Sequence, residues 1–158
     1  MSYAGDGGEV SAVLVESDGS PKVVMRSGTL GRFVAPGSLT ERRFGLFRWE
    51  MPPRSGGAGA HFHRTFSESF YVLSGTVRLF DGRAWADAGA GDFLYIPDGG
   101  IHGFRNDSEA AASMLILFAP GAPRERYFEE LAEIGASGRD LTPEEWAKFY
   151  AGHDQTMV

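Results

Sequence analysis

The 158-residue chain is long enough for one ordinary domain with a real core, and its 22 glycines, eight prolines and 13% aromatic content favour short strands joined by tight turns. A formal net charge of −6 argues against nucleic acid or an anionic membrane as partner. With no cysteine, a disulfide framework, a thiolate nucleophile and a Cys-type zinc site are all excluded.

The first ten residues, MSYAGDGGEV, carry neither a basic nor an apolar leader region, and the longest aliphatic run, Met114 to Phe118, is far too short to cross a bilayer. A cytoplasmic protein is the expectation. Residues 1 to 9 are glycine-rich and acidic and read as poorly ordered. Val10 to Val15 and Lys22 to Arg26 are β-prone, separated by the turn cluster Ser17-Asp18-Gly19-Ser20-Pro21, and Thr29 to Ala35 reads as a further extended piece.

Phe44 to Met51 alternates as a strand, with Gly45, Phe47, Trp49 and Met51 on one face, and Pro52-Pro53 ends it. A glycine-rich loop then leads to His61-Phe62-His63. Side chains two apart on a strand point the same way, so both imidazoles aim into one space. Glu68 follows closely and His102 comes from further along the chain. Imidazole and carboxylate together suit a divalent first-row metal ion.

Glu68 to Leu79 reads as a central strand pair bent at Ser74-Gly75, with Phe70 and Val72 on the parity of Glu68. Asp81-Gly82 signals a hairpin, and Phe93 to Ile96 forms the next strand, closed by Pro97. Phe104 and Asn106 share the parity of His102. Phe104 is expected as an apolar wall near the metal, and Asn106 as a turn partner rather than a ligand. Ser113 to Ala119 suits a last buried strand.

Beyond Pro123 the period becomes helical, with Tyr127, Leu131 and Ile134 on one stripe and Gly135 as the expected C-terminal cap. A second helix starts at Thr142 as N-cap, with Pro143 at the first position and Glu145 completing a capping box. Both are expected to pack over the outside or one open end of a barrel. His153 reads as solvated.

Gly91, Pro97, Gly99, His102 and Asn106 reproduce the pattern G-x5-P-x-G-x2-H-x3-N, and His61, His63, Glu68 and Gly75 fit G-x5-H-x-H-x3,4-E-x6-G except at the leading glycine, where Ser55 stands. On these motifs, spanning residues 55 to 106, the chain resembles the cupin superfamily, specifically its small single-domain metal-binding members similar to quercetin dioxygenases. The resemblance implies an all-β fold, a double-stranded β-helix (jelly-roll) barrel, over residues 1–158 as one domain, with a helical extension over about 122–152. It implies one divalent transition metal ion, Fe, Mn, Ni, Cu or Zn, on His61, His63, Glu68 and His102, with Glu68 also serving as catalytic base. It further implies a homodimer, with the N-terminal strands as the expected interface. The expected partner is a small, partly hydrophobic substrate in a pocket of Phe47, Trp49, Phe70, Val72, Tyr95 and Phe104. Oxidoreductase or dioxygenase chemistry leads, with non-redox Lewis-acid catalysis (cyclisation, isomerisation, dehydration) and a non-catalytic binding module as alternatives.

Overall fold

The computed structural model describes residues 2–158. Eleven strands follow in chain order: β1 (Lys22–Val24), β2 (Leu30–Ala35), β3 (Gly45–Met51), β4 (His61–Phe62), β5 (Ser67–Ser74), β6 (Val77–Phe80), β7 (Trp85–Ala88), β8 (Phe93–Ile96), β9 (Gly103–Arg105), β10 (Ala112–Ala119) and β11 (Thr156–Met157). Two helices, α1 (Arg124–Ser137) and α2 (Pro143–Ala151), come between β10 and β11. Among the described residues no helix is long and apolar enough to cross a membrane.

A six-stranded sheet runs in the order β1-β2-β3-β10-β5-β8. Opposing it are a three-stranded sheet, β7-β6-β9, and the pair β11-β4. Those two pieces are joined by an antiparallel bridge between His61 and His102, whose backbone N–H groups each donate to the other's carbonyl at 2.9 Å. All named pairs are antiparallel, and the apolar faces of the two layers close on one core, the jelly-roll arrangement expected of a cupin.

Alternation explains the inner face. Phe47, Trp49 and Met51 of β3 are buried, as are Met114, Ile116 and Phe118 of β10, which lies between β3 and β5. Glu68, Phe70 and Val72 of β5 share that inward parity. A hairpin joins β6 and β7, its Asp81 carboxylate accepting from the N–H groups of Arg83 and Ala84.

Four expectations need correction. β5 and β6 do not pair with one another; the chain leaves one sheet for the other at Gly75, where φ is 71° and a Cβ would lie 2.4 Å from the carbonyl oxygen of Ala111. Val10 to Val15 forms no strand, since no neighbour offers it a hydrogen-bonding edge, and its side chains are exposed. Helix α1 continues past Gly135 to Ser137 and ends at Gly138, whose left-handed φ of 68° makes it the true cap. Gly135 is a packing residue: a Cβ there would sit 3.1 Å from the Cβ of Arg26. His153 is not solvated, because its side chain packs beside Phe149 and Tyr127 and its Nε2 lies 2.7 Å from Glu130.

Helix α2 starts as read, with Thr142 accepting from the Glu145 N–H and the Glu145 carboxylate accepting from the Thr142 N–H. Phe128 anchors α1 to the barrel, its ring 4.6 Å from Trp49 and 5.1 Å from Phe47. Tyr127 stacks on Phe149 of α2 at 5.6 Å. After α2 the chain returns along the barrel as β11, paired with the strand that carries His61.

Candidate metal centre

Four side chains from three parts of the chain meet between the sheets. His61 opens β4 and His63 lies just beyond it on the same side, with Phe62 turned away beneath the Arg64 guanidinium. Glu68 comes from β5, and His102 stands immediately before β9, held opposite His61 by the bridge. One ligand atom from each of the four lies within 4.8 Å of the others, and all four residues are buried.

The ring orientations are fixed by main-chain acceptors. Nδ1 of His61 lies 2.7 Å from the Gly59 carbonyl, that of His63 2.6 Å from the Asp154 carbonyl, and that of His102 2.9 Å from the Gly100 carbonyl. A carbonyl can only accept, so each imidazole carries a proton on Nδ1 and turns its Nε2 inward. The Nε2 atoms of His63 and His102 stand 3.0 and 2.7 Å from the same Glu68 oxygen. Imidazole nitrogens and a carboxylate converging at this distance need a cation among them, and the donor set of three imidazoles and one carboxylate fits a divalent transition ion.

Without an ion, protons take that role in part. Burial penalises a charged His61 and the neighbouring His102 adds to it, bringing His61 down to about 4. For Glu68 burial acts upward, but hydrogen bonds from His102 and His63 outweigh it and hold the carboxyl well below its usual range. His102 is raised: burial opposes its charge, and the hydrogen bond and charge of Glu68 prevail. Loading a metal ion therefore displaces a proton shared chiefly between His102 and Glu68.

His61 and Glu68 form part of the wall of a cavity of about 300 Å³. Its apolar wall comes from the barrel (Trp49, Phe104, Ile116, Phe118) and from the helices (Tyr127, Phe128, Leu131, Trp146, Tyr150). The loop Gly56-Gly57-Ala58-Gly59 closes one side, tied down where the Phe104 N–H donates to the Ala58 carbonyl at 3.0 Å. Gly57 has no room for a side chain, since a Cβ would lie 2.1 Å from the carbonyl oxygen of Phe104. The helices thus roof the open end of the barrel and contribute eight of the 24 residues that line the pocket.

Of the expected pocket residues, Trp49 and Phe104 line this cavity. Phe47, Phe70 and Val72 are buried in the packed core and do not face it. Tyr95 is 60% exposed on the outside of the barrel: β8 pairs Leu94 with Phe70 and Ile96 with Glu68, so the intervening Tyr95 points outward. Asn106 is no ligand. Its amide donates to the carbonyls of Pro52 and Ala110 at 2.9 and 2.8 Å, and its oxygen accepts from Ser108 N–H at 3.0 Å.

Ser55 stands where the motif pattern has glycine, and the positive φ of this turn falls one residue earlier, at Arg54. The Ser55 carbonyl accepts from the Asn106 N–H at 3.0 Å, which stitches the two motifs together. Four further residues at the site carry no motif signal. Asp154 orients His63 through its carbonyl, while its carboxylate accepts from Arg64 N–H, Thr65 N–H and the Thr65 hydroxyl. Arg124, Tyr127 and Gln155 complete a buried polar end of the cavity.

The fold and site together define a double-stranded β-barrel protein with a buried quartet of three histidines and one glutamate able to hold a metal ion. Residues 47–118, just under half of the chain, match the family model for the Cupin domain. The chain is 28% identical over 113 residues to a quercetin 2,3-dioxygenase of Bacillus subtilis, an alignment covering 66% of this chain and 33% of the relative, so the chain spans about a third of the length of that curated relative. Among solved structures it is similar to a predicted oxalate decarboxylase from Thermotoga maritima, with a TM-score of 0.61 and 20% identity over 68% of this chain and 99% of that one. It is also similar to the polyketide cyclase RemF from Streptomyces resistomycificus, with a TM-score of 0.59 and 23% identity over 68% of this chain and 79% of that one. At these identities the structural likenesses establish the shared fold.

Proposed function

We propose that the chain is a metal-dependent oxidoreductase of dioxygenase type, acting on a small, partly hydrophobic organic molecule whose oxygen atoms chelate the ion. The observation that carries this reading is the buried His61, His63, Glu68 and His102 quartet set against the largely apolar cavity. The sequence likeness to a quercetin 2,3-dioxygenase supports it. When bound, a redox-active divalent ion supplies Lewis acidity toward substrate oxygen and one-electron chemistry toward O₂. In a dioxygenation both atoms of O₂ enter the product, and no external reductant is consumed.

The chain's own part is positioning and proton handling. Trp49 and Phe104 offer flat apolar walls to a planar substrate, and the roof of α1 and α2 keeps bulk water from a reactive intermediate. Glu68 is the one carboxylate on the cavity wall and accepts the proton of an enol or phenol hydroxyl as that oxygen becomes anionic. Its depressed basicity in the ion-free site stems from N–H donation by His102 and His63, which deprotonated ligand histidines do not provide.

The test is oxygen uptake by protein reconstituted separately with Fe, Mn, Ni, Cu and Zn, offered flavonol-like and enol substrates, alongside Glu68→Gln. The reading expects uptake with at least one redox-active ion, none with Zn, and a large loss of turnover in the variant. Turnover of such a substrate by the Zn form with oxygen removed would replace it with non-redox Lewis-acid catalysis.

A further inference from the structure

Arg124 is the buried arginine among the described residues, and it forms no ion pair. It lies on the cavity wall at the start of α1. One terminal nitrogen donates to the His153 carbonyl at 2.9 Å and the other to Gln155 Oε1 at 3.2 Å, both neutral acceptors. Its Nε is buried with no hydrogen-bond partner. The guanidinium carbon sits 3.9 Å from the Tyr127 ring centre, with Phe66, Phe118 and Phe128 between 5.3 and 5.5 Å.

A buried cation without a counter-ion is costly, and burial acts to lower the basicity of Arg124. Besides the Tyr127 hydroxyl, the acidic groups whose charge reaches it are Glu68 and Asp154. Asp154 is already committed to Arg64 and Thr65, and Glu68 to the metal quartet. A divalent ion on three neutral histidines and one glutamate, with Arg124 beside it, leaves the cavity with a surplus of positive charge.

We infer that the ligand of this cavity is an anion: an aromatic or otherwise apolar molecule bearing a carboxylate or comparable oxyanion, received by Arg124. This rests on the reading of the quartet as a metal site only for the surplus charge; the unpaired guanidinium and its free Nε stand without it. The aromatic lining accommodates the apolar body and Arg124 selects the charged group. An arginine suits this task because its planar fork meets a carboxylate with more than one hydrogen bond. Residues 153 to 155, which hold two of its donors, keep the fork fixed.

The probes are benzoate and its neutral isostere benzamide, titrated calorimetrically into the full chain in zinc-loaded and chelator-stripped forms, for wild type, Arg124→Met and Arg124→Lys. Arg124 also anchors the C-terminal segment, so the decisive quantity is the ratio of the two affinities, which loss of a merely structural clamp does not move. Wild type is expected to prefer benzoate by roughly tenfold or more in both forms, as a charge-assisted contact requires. Arg124→Met brings the ratio to about one and Arg124→Lys leaves it intermediate. A wild-type ratio near one, binding of neither probe, or an unchanged ratio in Arg124→Met overturns the inference. Should Arg124→Met fail to fold, an unchanged ratio in Arg124→Lys overturns it instead. If wild type binds no zinc but keeps the benzoate preference, the metal reading fails and the role of Arg124 stands; the opposite pattern fails Arg124 alone.

Discussion

Replacing Asn106 by alanine tests whether this fully buried residue builds the site or binds its ligand. The side chain serves four groups: it donates to the Pro52 and Ala110 carbonyls and accepts from the Ser108 N–H and, at 2.7 Å, the Ser108 hydroxyl. Ser108 can still reach the Ala110 carbonyl, at 3.0 Å, so the alanine variant strands chiefly the Pro52 carbonyl and the Ser108 N–H. At about 1–3 kcal/mol for each of these two groups left unpaired, the destabilisation is about 2–6 kcal/mol. That is a large share of the roughly 5–15 kcal/mol of a typical domain. Asn106→Asp is expected to be no better, because its carboxylate would face two carbonyl oxygens. Urea unfolding monitored by tryptophan fluorescence measures the change, and metal content of the remaining folded protein separates the two roles. A loss below about 1 kcal/mol, or a stable variant that has lost its metal, refutes the structural assignment.

Two further outcomes follow from the centre's surroundings. In chelator-treated protein His61 stays neutral from its ordinary 6.5 down to about 4, whereas the unfolded chain protonates it across that window; stability is therefore lost as pH falls from 6.5 toward 4, by up to about 3 kcal/mol from this group. His102, raised, contributes the opposite slope, present below its ordinary value and lost as pH rises through its folded one, so His61→Gln should flatten the acid limb of denaturation midpoints; an unaltered limb would contradict the assignment. Asp154→Ala removes the acceptor of three donors in the segment whose carbonyl orients His63, and metal affinity is expected to fall about tenfold or more in competition with a fluorescent chelator, as for other groups that orient metal ligands; unchanged affinity would show the C-terminal segment to be dispensable.

The centre was legible in the sequence because its ligands obey short-range rules. The two-residue repeat of His61 and His63, and the fixed offsets from Gly91 to Asn106, survive any detail of tertiary packing. β3 was legible for the same reason, its alternation matching the buried face residue by residue. Tyr95 misled because a four-residue strand rich in apolar side chains on both faces has no readable parity; only its register against β5 shows that Leu94 and Ile96 point inward. Gly135 misled because glycine can mark either a helix stop or a close approach, and the neighbour that decides, Arg26, is far away in sequence. Arg124 and Asp154 were invisible for a related reason. Asp154 reaches His63 across ninety-one positions, and the two-residue strands β4 and β11 that bring them together carry no periodicity.

The most direct test of the metal centre is elemental analysis of protein purified without chelator or nickel resin, scored per chain, with His102→Ala measured in parallel. The account predicts close to one transition ion per wild-type chain and its loss from a variant that remains folded by circular dichroism. Equal metal in both proteins, or none in wild type after exposure to each candidate ion, would contradict it.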